Sequence, residues 1–253
     1  MTTLITPLIF FLSTFTAALL GMTLRKKIPS SYLDSESKIA INISMGMVVT
    51  LTSIVLGLLT ATSKSSFDQM DAAVKQTAIQ LLTLDRILVH YEGQDAQEIR
   101  SRIRDSVKNK LPSTLSRDIN DEDIAKSHFY TDIERLVDQI RTLTPKDHYH
   151  QVLHSQALRT SEDILKSRWV AITSIGSSIS NIHLVVLWFW LVIIFLGFGL
   201  LSPHHSLMIG LHFMVAFSTA AAIFLMMELE GPFDGFIHVS TEPMRFVNQL
   251  LNK

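Results

Sequence analysis

The chain has 253 residues, of which 47% are hydrophobic, with a formal net charge of −1 and no cysteine. Near-neutral charge provides no long-range field to draw in nucleic acid, and the lack of cysteine excludes disulfides, thiolate nucleophiles and thiolate zinc sites. The mean hydropathy of +0.29 fits a chain that is part membrane and part water-soluble, since apolar residues crowd the two ends and charges the middle.

Leu4 to Met22 is free of charge and is followed by Arg25-Lys26-Lys27. A secretory signal would carry its basic residues before the apolar run. The expectation is therefore a retained spanning helix, with Pro7 tolerated in its first turns. Between Lys38 and Lys64 lie about 25 uncharged residues, enough to cross a bilayer core of ~30 Å at ~1.5 Å per residue. Within that stretch Asn42, Gly46, Val49, Ser53, Gly57 and Thr60 recur at steps of three and four. One helical face thus carries small and polar residues. In a spanning helix such a stripe serves either close packing on a neighbour or the lining of a wet passage.

Nothing stops the second helix at Lys64. Phe67, Met70, Val74, Ala78, Ile79 and Leu82 continue at helical spacing, and Gly93 is the first terminator, as a C′ residue. A helix of about 50 residues follows, extending beyond the bilayer. Next come a helix over about 95–110 closed by Leu111-Pro112, a polar connection over 113–120, and a helix over about 121–143 with Phe129, Ile133, Leu136, Val137 and Ile140 on its apolar face. Thr144-Pro145-Lys146-Asp147 reads as a helix start, Thr as N-cap and Pro at N1. That helix meets no breaker before the membrane. From Trp169 to Met227 there is no Asp, Glu, Lys or Arg, and Ser202-Pro203-His204-His205 divides the run into spans near Ile182–Leu201 and Ser206–Glu228.

The expected fold class is an all-α integral membrane protein. Four transmembrane helices carry an extramembrane helical domain inserted between the second and third and built on long extensions of those two. The organisation is 1–64 (spans at about 4–22 and 39–63), 65–168 for the domain, 169–229 (spans at about 182–201 and 206–228), and 230–253 for an acidic turn and an amphipathic tail. The tail, with Met244, Phe246, Val247, Leu250 and Leu251 apolar, would lie in the interface or pack on a neighbouring subunit. Both termini share a side with the domain. Arg25, Lys26, Lys27 and Lys38 assign their short loop to the cytosol, whereas Lys64, Lys166 and Arg168 pull the other way, so the orientation stays open.

No constellation for catalysis stands out, and the expectation is that the chain is not an enzyme. His148, His150 and His154 fall at one helix start, but no carboxylate completes a metal-ligand set and there is no His-Glu-x-x-His. His183 and His212 lie within or at the edge of spans, where a neutral imidazole bonded to a neighbouring helix is expected. After the last span, Glu228, Glu230, Pro232, Phe233, Asp234 and Gly235 form an acidic turn. Glu228, Glu230 and Asp234 are candidate oxygen ligands for Ca²⁺; the plainer reading is a helix end with hydrated acids.

Two stretches carry a family resemblance: GMVVTLTSIVLGLLTATSKSSFD from Gly46 and LEGPFDGFIHVSTEP from Leu229. Together they resemble a bacterial, bestrophin-like family of membrane proteins of unassigned function, over nearly the whole chain. More distantly, the order of elements and the turn at Glu230–Gly235 are similar to those of true bestrophins. That resemblance implies a homo-oligomeric (pentameric) ion channel in the bacterial inner membrane. Asn42, Gly46, Val49, Ser53, Gly57 and Thr60 would face the axis, inorganic ions would pass, and the domain would be cytosolic. The chain lacks the phenylalanine-rich neck of bestrophins and the acidic run that follows their turn. The alternative is a non-conducting membrane scaffold or signal-transducing protein whose helical stalk binds a partner.

Overall fold

The computed structural model describes residues 2–29, 34–114, 128–175, 181–231 and 235–251. The described elements are all helices: α1 (Thr2–Arg25), α2 (Ser35–Tyr91), α3 (Gln94–Thr114), α4 (His128–Thr142), α5 (His148–Ile175), α6 (Asn181–Leu201), α7 (Ser206–Glu230) and α8 (Glu242–Leu251). Four of them, α1, α2, α6 and α7, are long and apolar enough to cross a membrane. Contacts divide the chain into a first unit, residues 1–65 with 178–230, and a second, residues 66–177 with 231–253. The 57-residue α2 contributes to both.

In the first unit α1 packs on α6 and α7. Apolar side chains do not drive this by themselves, because lipid is as apolar as leucine; close backbone approach and hydrogen bonds do. The α1–α6 crossing is so tight that a Cβ added at Gly199 would run into the Ala18 carbonyl, and one at Gly21 into the Leu196 carbonyl. The Trp188 indole N–H donates across the same pair to Ser13 Oγ at 2.9 Å, so Trp188 is a packing residue. Phe11 and Phe15 meet Phe213 edge-to-face at 5.3 and 5.6 Å between centroids, joining α1 to α7. At the end of α1 the Arg25 guanidinium donates to the Leu201 carbonyl at 2.7 Å, capping the negative end of α6. One of the basic residues that argued for orientation is therefore also a cap.

The second unit is a bundle with one core. Its seams repeat at three and four residues: Leu81, Leu84 and Leu88 from α2; Ile99, Ile103 and Val107 from α3; Leu136 and Ile140 from α4; Leu153, Ala157 and Ile164 from α5. Met244, Val247 and Leu251 of α8 join the same core, and α8 lies on α3. The tail helix thus buries its apolar face inside its own chain and leaves only Phe246 outside.

Several boundaries differ from expectation. The second helix ends at Tyr91, and Glu92, at φ 53°, takes the left-handed position ahead of Gly93. The next helix passes Pro112 and ends at Thr114, which the last turn allows because proline there forfeits only one amide bond. Residues 115–127, which hold the polar connection and the start of the following helix, lie outside the described ones, as do residues 176–180, on which continuity of α5 into α6 would rest.

The N-cap of α5 is Asp147, not Thr144. Its Oδ1 accepts the His150 backbone N–H at 2.8 Å and lies 2.7 Å from His150 Nδ1. Both the backbone N–H and the ring of His150 converge on the Asp147 carboxylate, which fixes the helix start there rather than at Thr144. The His150 backbone bond, then its ring, hold the Asp147 carboxyl below the usual carboxylate range. A depressed carboxylate contributes stability above its unfolded value, about 4, and loses it as pH falls through the lower folded value. Protection of the first-turn amides of α5, measured relative to their intrinsic exchange rate at each pH, should accordingly fall through that acid window, and Asp147→Ala should show the reduced protection at every pH.

Candidate functional site

α2 is the least covered of the four apolar helices: 11% of its most apolar stretch is buried, against 33%, 28% and 22% for α1, α6 and α7. Within the first unit its buried line is Met45, Thr52, Leu59 and Ser63. At roughly 100° per residue, the stripe noted in the sequence falls roughly 90° round from that line. Asn42, Gly46, Ser53 and Gly57 are exposed, and Val49 and Thr60 are half-buried at its edge. Nothing lies within 4 Å of where a Cβ would stand at Gly46 or Gly57. The structure therefore brings the stripe together as one surface: Val49 packs at the edge of the first-unit core, while Asn42, Gly46, Ser53 and Gly57 stay uncovered among the described residues. Roughly 120° further round, Ile43, Met47, Ile54 and Leu58 form a separate face, each more than half exposed.

The polar groups of the stripe are of two kinds. Ser53 Oγ donates to the Val49 carbonyl at 2.8 Å, Thr60 Oγ1 to that of Leu56 at 2.8 Å, and the neighbouring Thr50 to that of Gly46 at 2.8 Å. Each hydroxyl hydrogen is satisfied inside the helix, and the oxygen lone pairs remain as acceptors. Asn42 makes no hydrogen bond among the described residues. An exposed primary amide facing hydrocarbon loses all its water bonds with no return. The bulky face suits lipid or an apolar neighbour; the stripe does not suit lipid.

The acidic turn is only partly described. Glu228 is 2% exposed at the end of α7, Glu230 is half-buried, and Gly235 takes φ 101°, a left-handed conformation that favours glycine. Pro232, Phe233 and Asp234 lie outside the described residues. Among the described residues no three of His, Asp and Glu stand together as a metal-binding group. His148, His150 and His154 are not brought together either: His150 is tied to Asp147, and His154 Nε2 lies 2.8 Å from the Ile140 carbonyl. His212, buried in α7, bonds through Nδ1 to the Met208 carbonyl at 2.7 Å, its own helix rather than a neighbouring one.

A family model described as a bestrophin-like domain matches residues 12–244. The chain belongs to the bestrophin-like family. Its fold is also that of solved bacterial structures. Two single-residue variants of a bacterial bestrophin homolog from Klebsiella pneumoniae align over 97% of both chains, at 14% identity with TM-score 0.66 and 15% identity with TM-score 0.67. A further variant structure, of a membrane protein, aligns over 96% of both chains at 13% identity and TM-score 0.71. At these identities the structures share the architecture. Among curated proteins no sequence matched. Family and fold together make this bestrophin-like chain a channel-like membrane protein of four transmembrane helices, with its helical domain inserted between the second and third.

The α2 stripe of the bestrophin-like chain was legible in the sequence, and the near backbone contact of two helices at Gly21 and Gly199 was not singled out. A signal was there. Ala17, Ala18 and Gly21 on one helix and Gly197 and Gly199 on the other are small residues one helical turn or less apart, the usual mark of helices in near backbone contact.

Proposed function

We propose that the protein is one subunit of a homo-oligomeric ion channel, with the Asn42–Thr60 face of α2 turned to a central water-filled path for inorganic ions. The observation that carries this reading is that Asn42, whose amide has no partner among the described residues, shares a face with Gly46, Ser53 and Gly57, which no described element covers. In a bilayer such a face needs water or a partner that can hydrogen-bond. A path lined by hydroxyl oxygens and small residues satisfies that need and leaves the Ile43/Met47/Ile54/Leu58 face for lipid or a neighbouring subunit.

The test is ion flux from liposomes holding the purified protein, under chloride, potassium and sodium gradients in turn. Wild type should conduct at least one of them. Ser53→Phe should cut that flux by roughly an order of magnitude while the oligomer keeps its size by light scattering. Loss of the oligomer in Ser53→Phe would assign the stripe to a packing seam between subunits. Absence of flux for every ion would favour the scaffold reading, in which the helical domain binds a partner.

A further inference from the structure

One corner of the first unit carries charge of a single sign where spans reach the membrane face. The ends of α1 and α6 meet there, because the Arg25 guanidinium donates to the Leu201 carbonyl at 2.7 Å. Residues 202–205 then turn the chain into α7, whose Met208 N–H donates to the His205 carbonyl at 3.0 Å. Arg25 is followed directly by Lys26 and Lys27, and no Asp or Glu stands before residue 34 or between Trp169 and Met227. Acids reach this face only with α2, as Asp34 and Glu36 against Lys38. Asp34 is already engaged as the N-cap of α2, its Oδ1 accepting the Ser37 N–H at 2.8 Å.

Lys26 and Lys27 are exposed and make no ion pair or side-chain hydrogen bond among the described residues. In bulk water that would imply nothing, since solvent satisfies an ammonium. These two stand elsewhere. They end a span, and the connection to α2 is short, so they are held in the headgroup layer, where phosphate oxygens are the abundant acceptors. Directly below them on α1, Leu20 and Leu24 stand one turn apart and are 56% and 46% exposed. Paired ammonium groups thus sit above an uncovered apolar strip, the two halves of one amphipathic partner.

We propose that this corner binds an anionic phospholipid, with its phosphate on Lys26 and Lys27 and its acyl chains along Leu20 and Leu24. Arg25 gives one N–H to the Leu201 carbonyl and keeps others, so its charge adds to the same field. A phosphatidylcholine headgroup brings a cation of its own, which finds no carboxylate on the α1, α6 and α7 side of this face. A phosphate free in solution would meet the ammonium groups and leave the leucine strip unused. Only a lipid of net negative charge uses both halves. The inference needs the four spans and is independent of conduction.

The experiment is native mass spectrometry of the full-length protein, purified in detergent and mixed with equal amounts of phosphatidylglycerol and phosphatidylcholine. Phosphatidylglycerol should be retained roughly tenfold over phosphatidylcholine. Lys26→Gln/Lys27→Gln should erase that preference. Lys146→Gln/Arg159→Gln, which removes the same charge from exposed positions of the second unit, should keep it. Arg25 stays in place because it caps α6, and both variants, altered only at exposed side chains, should unfold at the wild-type temperature when no lipid is added. Phosphatidylglycerol should raise the unfolding temperature of wild type, and glycerol 3-phosphate at the same concentration should not. The proposal is overturned if the two lipids are retained equally, if the lysine variant keeps the preference, if the charge-matched variant loses it, or if glycerol 3-phosphate stabilises as well as the lipid.

Discussion

Gly199→Val should unfold or misassemble the membrane-spanning unit. The glycine sits where α6 crosses α1, and a Cβ there would run into the Ala18 carbonyl oxygen and stand 3.0 Å from Ala18 Cα. Backbone cannot rotate aside as a side chain does, so the two helices must separate. Separation forfeits dispersion contacts along the whole crossing, including the Trp188–Ser13 bond, and water cannot fill the gap in hydrocarbon. Overpacking in a well-fitted interior costs about 1–3 kcal/mol. With backbone as the obstacle and two added methyl groups beyond the Cβ, the effect belongs at or above the upper end. Gly21→Ala, aimed at the Leu196 carbonyl from the other helix, should behave the same way on a smaller scale.

Two other glycines of the same unit provide internal controls. A Cβ at Gly197 meets the Met45 thioether at 2.5 Å, the far end of a flexible side chain that can move, so Gly197→Ala should cost less than about 1 kcal/mol. A Cβ at Gly210 meets nothing, and Gly210→Ala should be neutral or stabilising by up to about 1 kcal/mol through helix propensity. Thermal unfolding in detergent ranks the four. If Gly199→Val and Gly210→Ala melt together, the close α1–α6 crossing is wrong.

The contrast between these glycines and those of α2 shows what the sequence could and could not convey. The four spans were legible because each is a charge-free run of bilayer length in a chain whose intervening residues are densely charged, and a bilayer is the solvent that such a run fits. The helical domain was legible from its three-and-four seams. The partner of a small residue was not legible. Gly46 and Gly57 belong to a conspicuous stripe, yet a Cβ at either would meet nothing within 4 Å, while Gly21 and Gly199, small residues inside apolar runs, bring two helix backbones together. A single sequence shows which residues share a face, and packing against a distant segment decides what meets that face. The same limit hid the cap of α5. Thr144 and Asp147 are both competent N-caps, and the choice fell to Asp147 because two His150 groups converge on its carboxylate. For the acidic turn, Glu228 was expected among hydrated acids at a helix end and instead lies buried in the first unit.

Charges were the other blind spot, and the largest expected effect in the second unit comes from one pair. Asp85 sits on α2 between Leu84 and Leu88, and its carboxylate receives Arg100 of α3 through two bonds, Nε to Oδ1 at 2.7 Å and Nη2 to Oδ2 at 3.3 Å. The side chains are 6% and 22% exposed, whereas Lys75–Asp71, Arg102–Glu98, Arg141–Asp138, Arg141–Glu162, His150–Asp147 and Lys166–Asp163 are each solvated on at least one side. The two ends of this bridge are not equivalent. Removing Asp85 leaves a guanidinium with a route to water at its more exposed end. Removing Arg100 strands a carboxylate with almost none. Truncating one partner of a buried pair costs about 3–5 kcal/mol. Arg100→Met belongs in that range, and Asp85→Leu should cost less, about 1–3 kcal/mol after allowing for solvent screening at Arg100. The double variant Asp85→Leu/Arg100→Met should regain most of the loss, because an apolar pair of similar volume replaces a bridge whose desolvation cancels much of its attraction. Urea unfolding of the full-length protein, followed by circular dichroism, gives the three values and their coupling. Additive single effects, with a coupling below about 0.5 kcal/mol, would mean that Asp85 and Arg100 do not meet, and α2 and α3 would then have to be held in register by their leucine and isoleucine seam alone.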